Sequence, residues 1–374
     1  MLHRLLSLRS LTFDLLRFAP EDQRAFLKAL ARNEFLQEVR VVPQNQGYPT
    51  TLSRIATETG TATRIHTSRI FMEEMNIEQL ERGLHVDEVI FEVNSAFSNT
   101  EMLTMKVCYD VPGTLHNITT MNILITGCII DVNVAKELAL CLQRTKYLEV
   151  LTLDLSANKE ACMHLIEAIS SNTSITTLGV ERWCHSRSNA VVLADIVSSS
   201  KNIHTLTYHR ESMVPSRAFF ARLSDSIESN FTLARVSTFE RKEDAKKWAI
   251  IQNVAIRNST LVERAARFVA NLSFAKIDAE AFELVASSPL LRSQVQTLAA
   301  VEKCEAPKMI RQTIWNLRDM DVFMSVTGVV RESVVCEGNR DGRPRLDTLP
   351  PECWHAIRRY LSVVDVVSNA PNGR

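Results

Sequence analysis

One spacing restricts this chain more than any other feature: apolar-x-x-apolar-x-apolar, returning roughly every 28 residues. In "YLEVLTLDLS" the leucines are Leu148, Leu151, Leu153 and Leu155. A helix would space them by three and four, and a surface strand would alternate throughout. Here a gap of three precedes gaps of two. A short strand that turns alternate side chains inward produces the gaps of two. The residue three positions earlier is the chain entering that strand and filling the same core.

The spacing recurs at Leu8, Leu11 and Phe13; at Leu36, Val39 and Val41; at Val86, Val89 and Phe91; and at Ile118, Met121 and Ile123. After the Leu148 copy it returns at Ile175, Leu178 and Val180, then at Ile203, Leu206 and Tyr208. A last copy, Leu233, Val236 and Thr238, is weaker at its third position. From Ile118 the starts lie 30, 27, 28 and 30 residues apart. The gap between Leu36 and Val86 leaves room for one degenerate copy around residues 58 to 66.

Between the strands lie amphipathic segments such as "EDQRAFLKALARN", "VAKELALCLQ" (Leu138, Leu140, Leu142) and "EACMHLIEAISSN". They predict helices with one buried stripe. Pro20 and Pro215 stand just ahead of two of them, where proline suits a first turn. Asparagine sits three residues before the first apolar position in "RNEFL" (Asn33), "SNTSI" (Asn172), "SNFTL" (Asn230) and "RNSTL" (Asn258). Asparagine accepts the left-handed conformation that ends a helix, and it bonds its own local backbone. The N-x-S/T sequons at several of these sites therefore read as turn chemistry rather than glycan acceptors.

These residues resemble the leucine-rich repeats of the ribonuclease-inhibitor type, the class that also forms the sensor end of NLR-type receptors. The resemblance spans roughly residues 8 to 260. It implies an α/β solenoid, a horseshoe with parallel strands on the concave side and helices on the convex side. Units of this kind bury their apolar faces only by stacking on one another. The expected organisation is a solenoid of eight to nine repeats over residues 1–260 and a helical C-terminal cap over 261–336. A linker follows over 337–345, and a C-terminal helix over 346–374. The cap begins where "RNSTLVERAARFVANL" exchanges the strand spacing for a helical one after Leu261. Only seven residues precede the first copy. Unless "MLHRLLS" covers it, or more chain lies upstream, that apolar edge would be bare.

In such a fold, residues two, four and six positions after each first apolar residue face the concave side. The partner-binding candidates among them are Asp14, Glu38, Glu92, Thr152, Asp154, Glu181 and His209. Acids outnumber bases there, although the formal net charge of the whole chain is zero. The expectation is a face that receives a protein partner carrying a basic patch.

The segment "LDTLPPECWHAIRRYLSVVDVV" looks like an F-box, with Leu349, Pro350, Trp354, Ile357 and Leu361 as adaptor-binding candidates. The chain departs from that family in ending at Arg374 and in placing the segment after its repeats. The same residues also suit a helix that folds back on the cap.

The exclusions are compositional. Zero net charge argues against general affinity for nucleic acid or an anionic membrane. No run of about 20 apolar residues occurs, and the N-terminal residues do not read as a signal peptide. Glycine is scarce, 10 of 374 residues, which leaves little material for phosphate-cradling loops. No Walker, dinucleotide-binding, zincin or nucleophile-elbow motif occurs. The eight cysteines show no CxxC pair and read as reduced thiols of a cytoplasmic protein. The function expected is a non-enzymatic protein-interaction scaffold or sensor without metal, cofactor or small-molecule ligand. The rivals are a substrate receptor of a cullin-type ubiquitin ligase and a repeat-type GTPase activator.

Overall fold

A computed structural model describes residues 9–13, 18–33, 35–41, 50–61, 64–71, 85–94, 119–181, 186–209, 213–238, 244–328 and 350–366. Among the described residues, nine strands form one sheet in strict sequence order. They are β1 (Ser10–Phe13), β2 (Glu38–Val41), β3 (Ile65–Phe71), β4 (His85–Asn94), β5 (Thr120–Ile130), β6 (Val150–Ala157), β7 (Thr177–Glu181), β8 (Thr205–His209) and β9 (Arg235–Thr238). The pairings from β1 through β8 are all parallel. Parallel neighbours require a crossover, and where the connection is described a helix supplies it. The crossover helices described are α1 (Pro20–Ala31), α2 (Thr50–Glu58), α3 (Val132–Arg144), α4 (Lys159–Ser171), α5 (Arg187–Ser199) and α6 (Met213–Ser226).

The gap of three followed by gaps of two has the cause expected of it. Leu151, Leu153 and Leu155 are buried along one face of β6, as are Met121, Ile123 and Ile125 in β5. Leu178 with Val180, and Leu206 with Tyr208, continue that face in β7 and β8. The lead residues Leu36, Leu148, Ile175, Ile203 and Leu233 are buried too. Each such side chain contributes about 1.5–3 kcal/mol by leaving water. The helices return matching stripes, including Val134, Leu138 and Leu142 of α3 and Leu165, Ile166 and Ile169 of α4. Leu140 is exposed, two residues off the stripe in a 3.6-residue turn. Side-chain caps start three of the described crossover helices: Asp131 Oδ1 accepts from the Val134 amide, Asn158 Oδ1 from Ala161, and Ser186 Oγ from Asn189. Pro215 lies inside the first turn of α6 rather than ahead of it.

The copy that the sequence left unplaced between Leu36 and Val86 is β3, with buried Ile65 paired to Val39. The weak last copy is β9, where Val236 and Thr238 are only half-buried. Thr238 offsets this by donating from Oγ1 to the Tyr208 carbonyl at 2.7 Å. Strand β5 carries an irregularity: Ile125 pairs with Leu155, but Ser156 is matched by Ile129. Three residues are thus looped out of register before Ile130 returns to the core.

The asparagines bond the local backbone as expected, but not in a left-handed conformation. Asn172 is extended, at φ −80° and ψ 122°. Its Oδ1 accepts the amides of Ser174 and Ile175, as Asn33 does for Phe35 and Leu36, and Asn230 for Thr232 and Leu233. Its Nδ2 reaches back one turn of the fold to the carbonyls of Leu142 and Thr145. The positive φ falls instead at Asn271, 57°, where α7 (Ala245–Val269) ends.

The chain separates into two compact units, Met1–Glu228 with Val236–Ile251, and Ser229–Arg235 with Gln252–Arg374. The second holds α8 (Lys276–Val285), α9 (Pro289–Ala299), α10 (Ala306–Arg318), α11 (Met320–Thr327) and α12 (Pro351–Arg358). Its core includes Val262, Ala265, Val269, Phe282, Leu291, Leu317 and Phe323. Helix α7 runs through the boundary read between residues 260 and 261, because helical apolar spacing already starts at Ile251, Val254 and Ala255. Asn258 lies within α7 and is fully buried, its Nδ2 donating to the carbonyls of Asn230 and Leu233 at 2.9 and 2.8 Å. The expected linker, 337–345, lies outside the described residues.

Candidate functional site

In β6 the residues that alternate with the leucines are Val150, Thr152, Asp154 and Ser156, all half-buried. The parallel register then lines up equivalent positions of neighbouring strands. One level holds Thr120, Val150, Thr177 and Thr205. The next holds Asn122, Thr152, Gly179 and Thr207. A third holds Leu124, Asp154, Glu181 and His209, and the backbone of Glu92 in β4 pairs at the same level. Adjacent strands lie about 4.8 Å apart, so a row of four side chains spans about 15 Å of sheet.

Two contacts organise this face. His209 Nδ1 stands 3.5 Å from Glu181 Oε1. Gly179 allows a close approach: a Cβ there would meet Thr152 Cγ2 at 2.9 Å and Oγ1 at 3.0 Å. The missing side chain seats Thr152 against the β7 backbone.

Of the residues picked out from the sequence, Thr152, Asp154, Glu181 and His209 are thus brought together on three adjacent strands. Glu38 lies on β2, far along the strand order, where its Oε1 accepts from Arg40 Nε at 2.7 Å. Asp14 lies outside the described residues. Sequence reasoning passed over Gly179. Its signal was a glycine inside a strand, which marks close approach by a neighbouring group.

The second candidate set sits in the smaller unit. Pro350 caps α12, Ile357 is half-buried on it, and Leu361 packs against the core that contains Phe323. Leu349 lies outside the described residues; of Trp354 only the backbone is described, in α12. Arg358, unremarked in the sequence, anchors the segment. Its Nε and Nη2 donate to the Leu317 carbonyl at 2.9 and 2.6 Å, and Nη1 donates to the Leu361 carbonyl. The guanidinium lies 3.9 Å above the Phe323 ring and 3.5 Å from Glu283. Burial pulls its pKa down, and Glu283 opposes that shift. Glu283 also accepts the Val363 amide at 2.7 Å. Lys276 Nζ donates to the Val366 carbonyl.

Among the described residues no three His, Cys, Asp or Glu side chains are grouped to hold a metal ion, and no helix is long and apolar enough to cross a membrane. Compared with known proteins, the chain matches no family model and no curated sequence.

Proposed function

We propose that the chain is a leucine-rich-repeat solenoid of the ribonuclease-inhibitor type, acting in the cytoplasm as a non-enzymatic protein-interaction scaffold. It receives a protein partner on the strand face opposite the helices. The observation that carries this reading is the level shared by Leu124, Asp154, Glu181 and His209 on consecutive strands. Single crossovers of similar length repeat one surface position at regular intervals, which suits an extended protein ligand better than a compact one. Asp154 and Glu181 sit on neighbouring strands and concentrate negative charge. That favours a partner with a basic patch and steers its approach more than it adds to final affinity.

The experiment starts with capture of partners on the full chain and measures association rates at low salt. Replacing Asp154 and Glu181 with lysine should slow association at least about tenfold and flatten its salt dependence. Rates that stay the same for every partner would reject this face.

A further inference from the structure

The smaller unit has an open groove of about 990 Å3. Its floor is Phe282 and Leu317, one wall is Ile314 and Trp315 of α10, and its rim carries Arg318 and Arg359. Trp315 is 69% exposed, a large apolar surface held at the edge of a concavity. The groove also touches Glu283 and Arg358, but these two neutralise one another and are occupied in anchoring α12. Among the described residues, Arg318 and Arg359 form no ion pair. The uncompensated charge of the rim is therefore positive. Exposed tryptophan beside arginine is also the composition in which binding energy concentrates at protein interfaces.

We infer that this groove docks a short peptide segment of a partner protein, one with a bulky apolar anchor flanked by at least two acidic residues. The anchor stacks on Trp315 over the apolar floor, and the acids meet Arg318 and Arg359. Two cations are too few to hold a nucleic-acid backbone, whose binding draws on many phosphate contacts.

The test is panning of a phage-displayed random 12-residue library on the full chain. Selected peptides are then synthesised and measured by fluorescence anisotropy. Enriched sequences should combine an aromatic or branched apolar residue with two or more Asp or Glu. Trp315→Ala should weaken them at least tenfold. Arg318→Glu with Arg359→Glu should weaken them similarly and select basic peptides when panned afresh. All three side chains are exposed, so these variants keep the fold, and Arg292→Glu on α9 should bind as the parent does. Failure to enrich any peptide, binders without acidic residues, or binders indifferent to Trp315→Ala would overturn the proposal. So would preferential binding of phosphatidylserine vesicles or a single-stranded 12-nucleotide probe.

Discussion

Asn172 donates from Nδ2 to the carbonyl of Leu142 at 2.6 Å, a contact between residues thirty positions apart in the chain. The same side chain accepts two amides, those of Ser174 and Ile175, on the turn that starts β7. One buried amide thus fixes both the strand entry and its spacing from the preceding turn of the fold. Asn172→Ala should cost about 3 kcal/mol, because it strands buried backbone groups that water cannot reach. Urea denaturation measures the loss. A cost below about 1 kcal/mol would mean that the turn holds itself.

Gly179 and Thr152 make a steric pair. Adding a methyl in Gly179→Ala lowers unfolded-chain entropy, a gain of about 0.5–1 kcal/mol. Against it stands the 2.9 Å clash with Thr152 Cγ2, and overpacking of this kind costs about 1–3 kcal/mol. The clash wins, so Gly179→Ala should be net destabilising by about 1 kcal/mol. Adding Thr152→Ala should recover most of that. Additive effects in the double-mutant cycle would contradict the contact.

Arg358 and Glu283 hold the C-terminal helix. Removing one partner leaves a mostly buried charge and two abandoned carbonyl contacts, so Arg358→Met should destabilise the smaller unit by about 3 kcal/mol. Amide exchange over residues 351–366 should accelerate before exchange in α7. Synchronous loss of protection in both would show that α12 is not a separately anchored element.

Asp365 closes a reciprocal cap with Ser362, accepting from both its amide and its hydroxyl at 2.7 Å. These bonds lower the Asp365 pKa below its ordinary value. Its stabilising effect is therefore complete above about pH 3.9, the unfolded value, and fades as pH falls through the lower folded value. Asp365→Asn should reduce stability at neutral pH and lose its difference from the parent in strong acid. An unchanging difference between the two down to pH 2 would rule out the ionised cap.

The residues themselves determined the strands. A gap of three followed by gaps of two has few realisations other than a buried strand entered from the core side, so β2 and β5 to β8 were legible from their apolar residues alone. Helical stripes were legible for the same periodic reason. What the tertiary structure decided were contacts between chain turns, which carry no local pattern. Arg64 is the clearest case. It donates from Nη1 to the Leu30 carbonyl at 2.7 Å and from Nη2 to those of Asn33 and Leu36, the service that Asn172 performs one asparagine-bearing turn at a time elsewhere. A long guanidinium can reach those carbonyls from a sequence position unlike the asparagine's, so no spacing rule finds it. The same holds for Arg358 and for the groove beside Trp315: distance along the chain hides groups that packing brings together. The row Leu124, Asp154, Glu181 and His209 lies between these cases. Periodicity selected its positions, and only the parallel register fixed them at one level of the sheet.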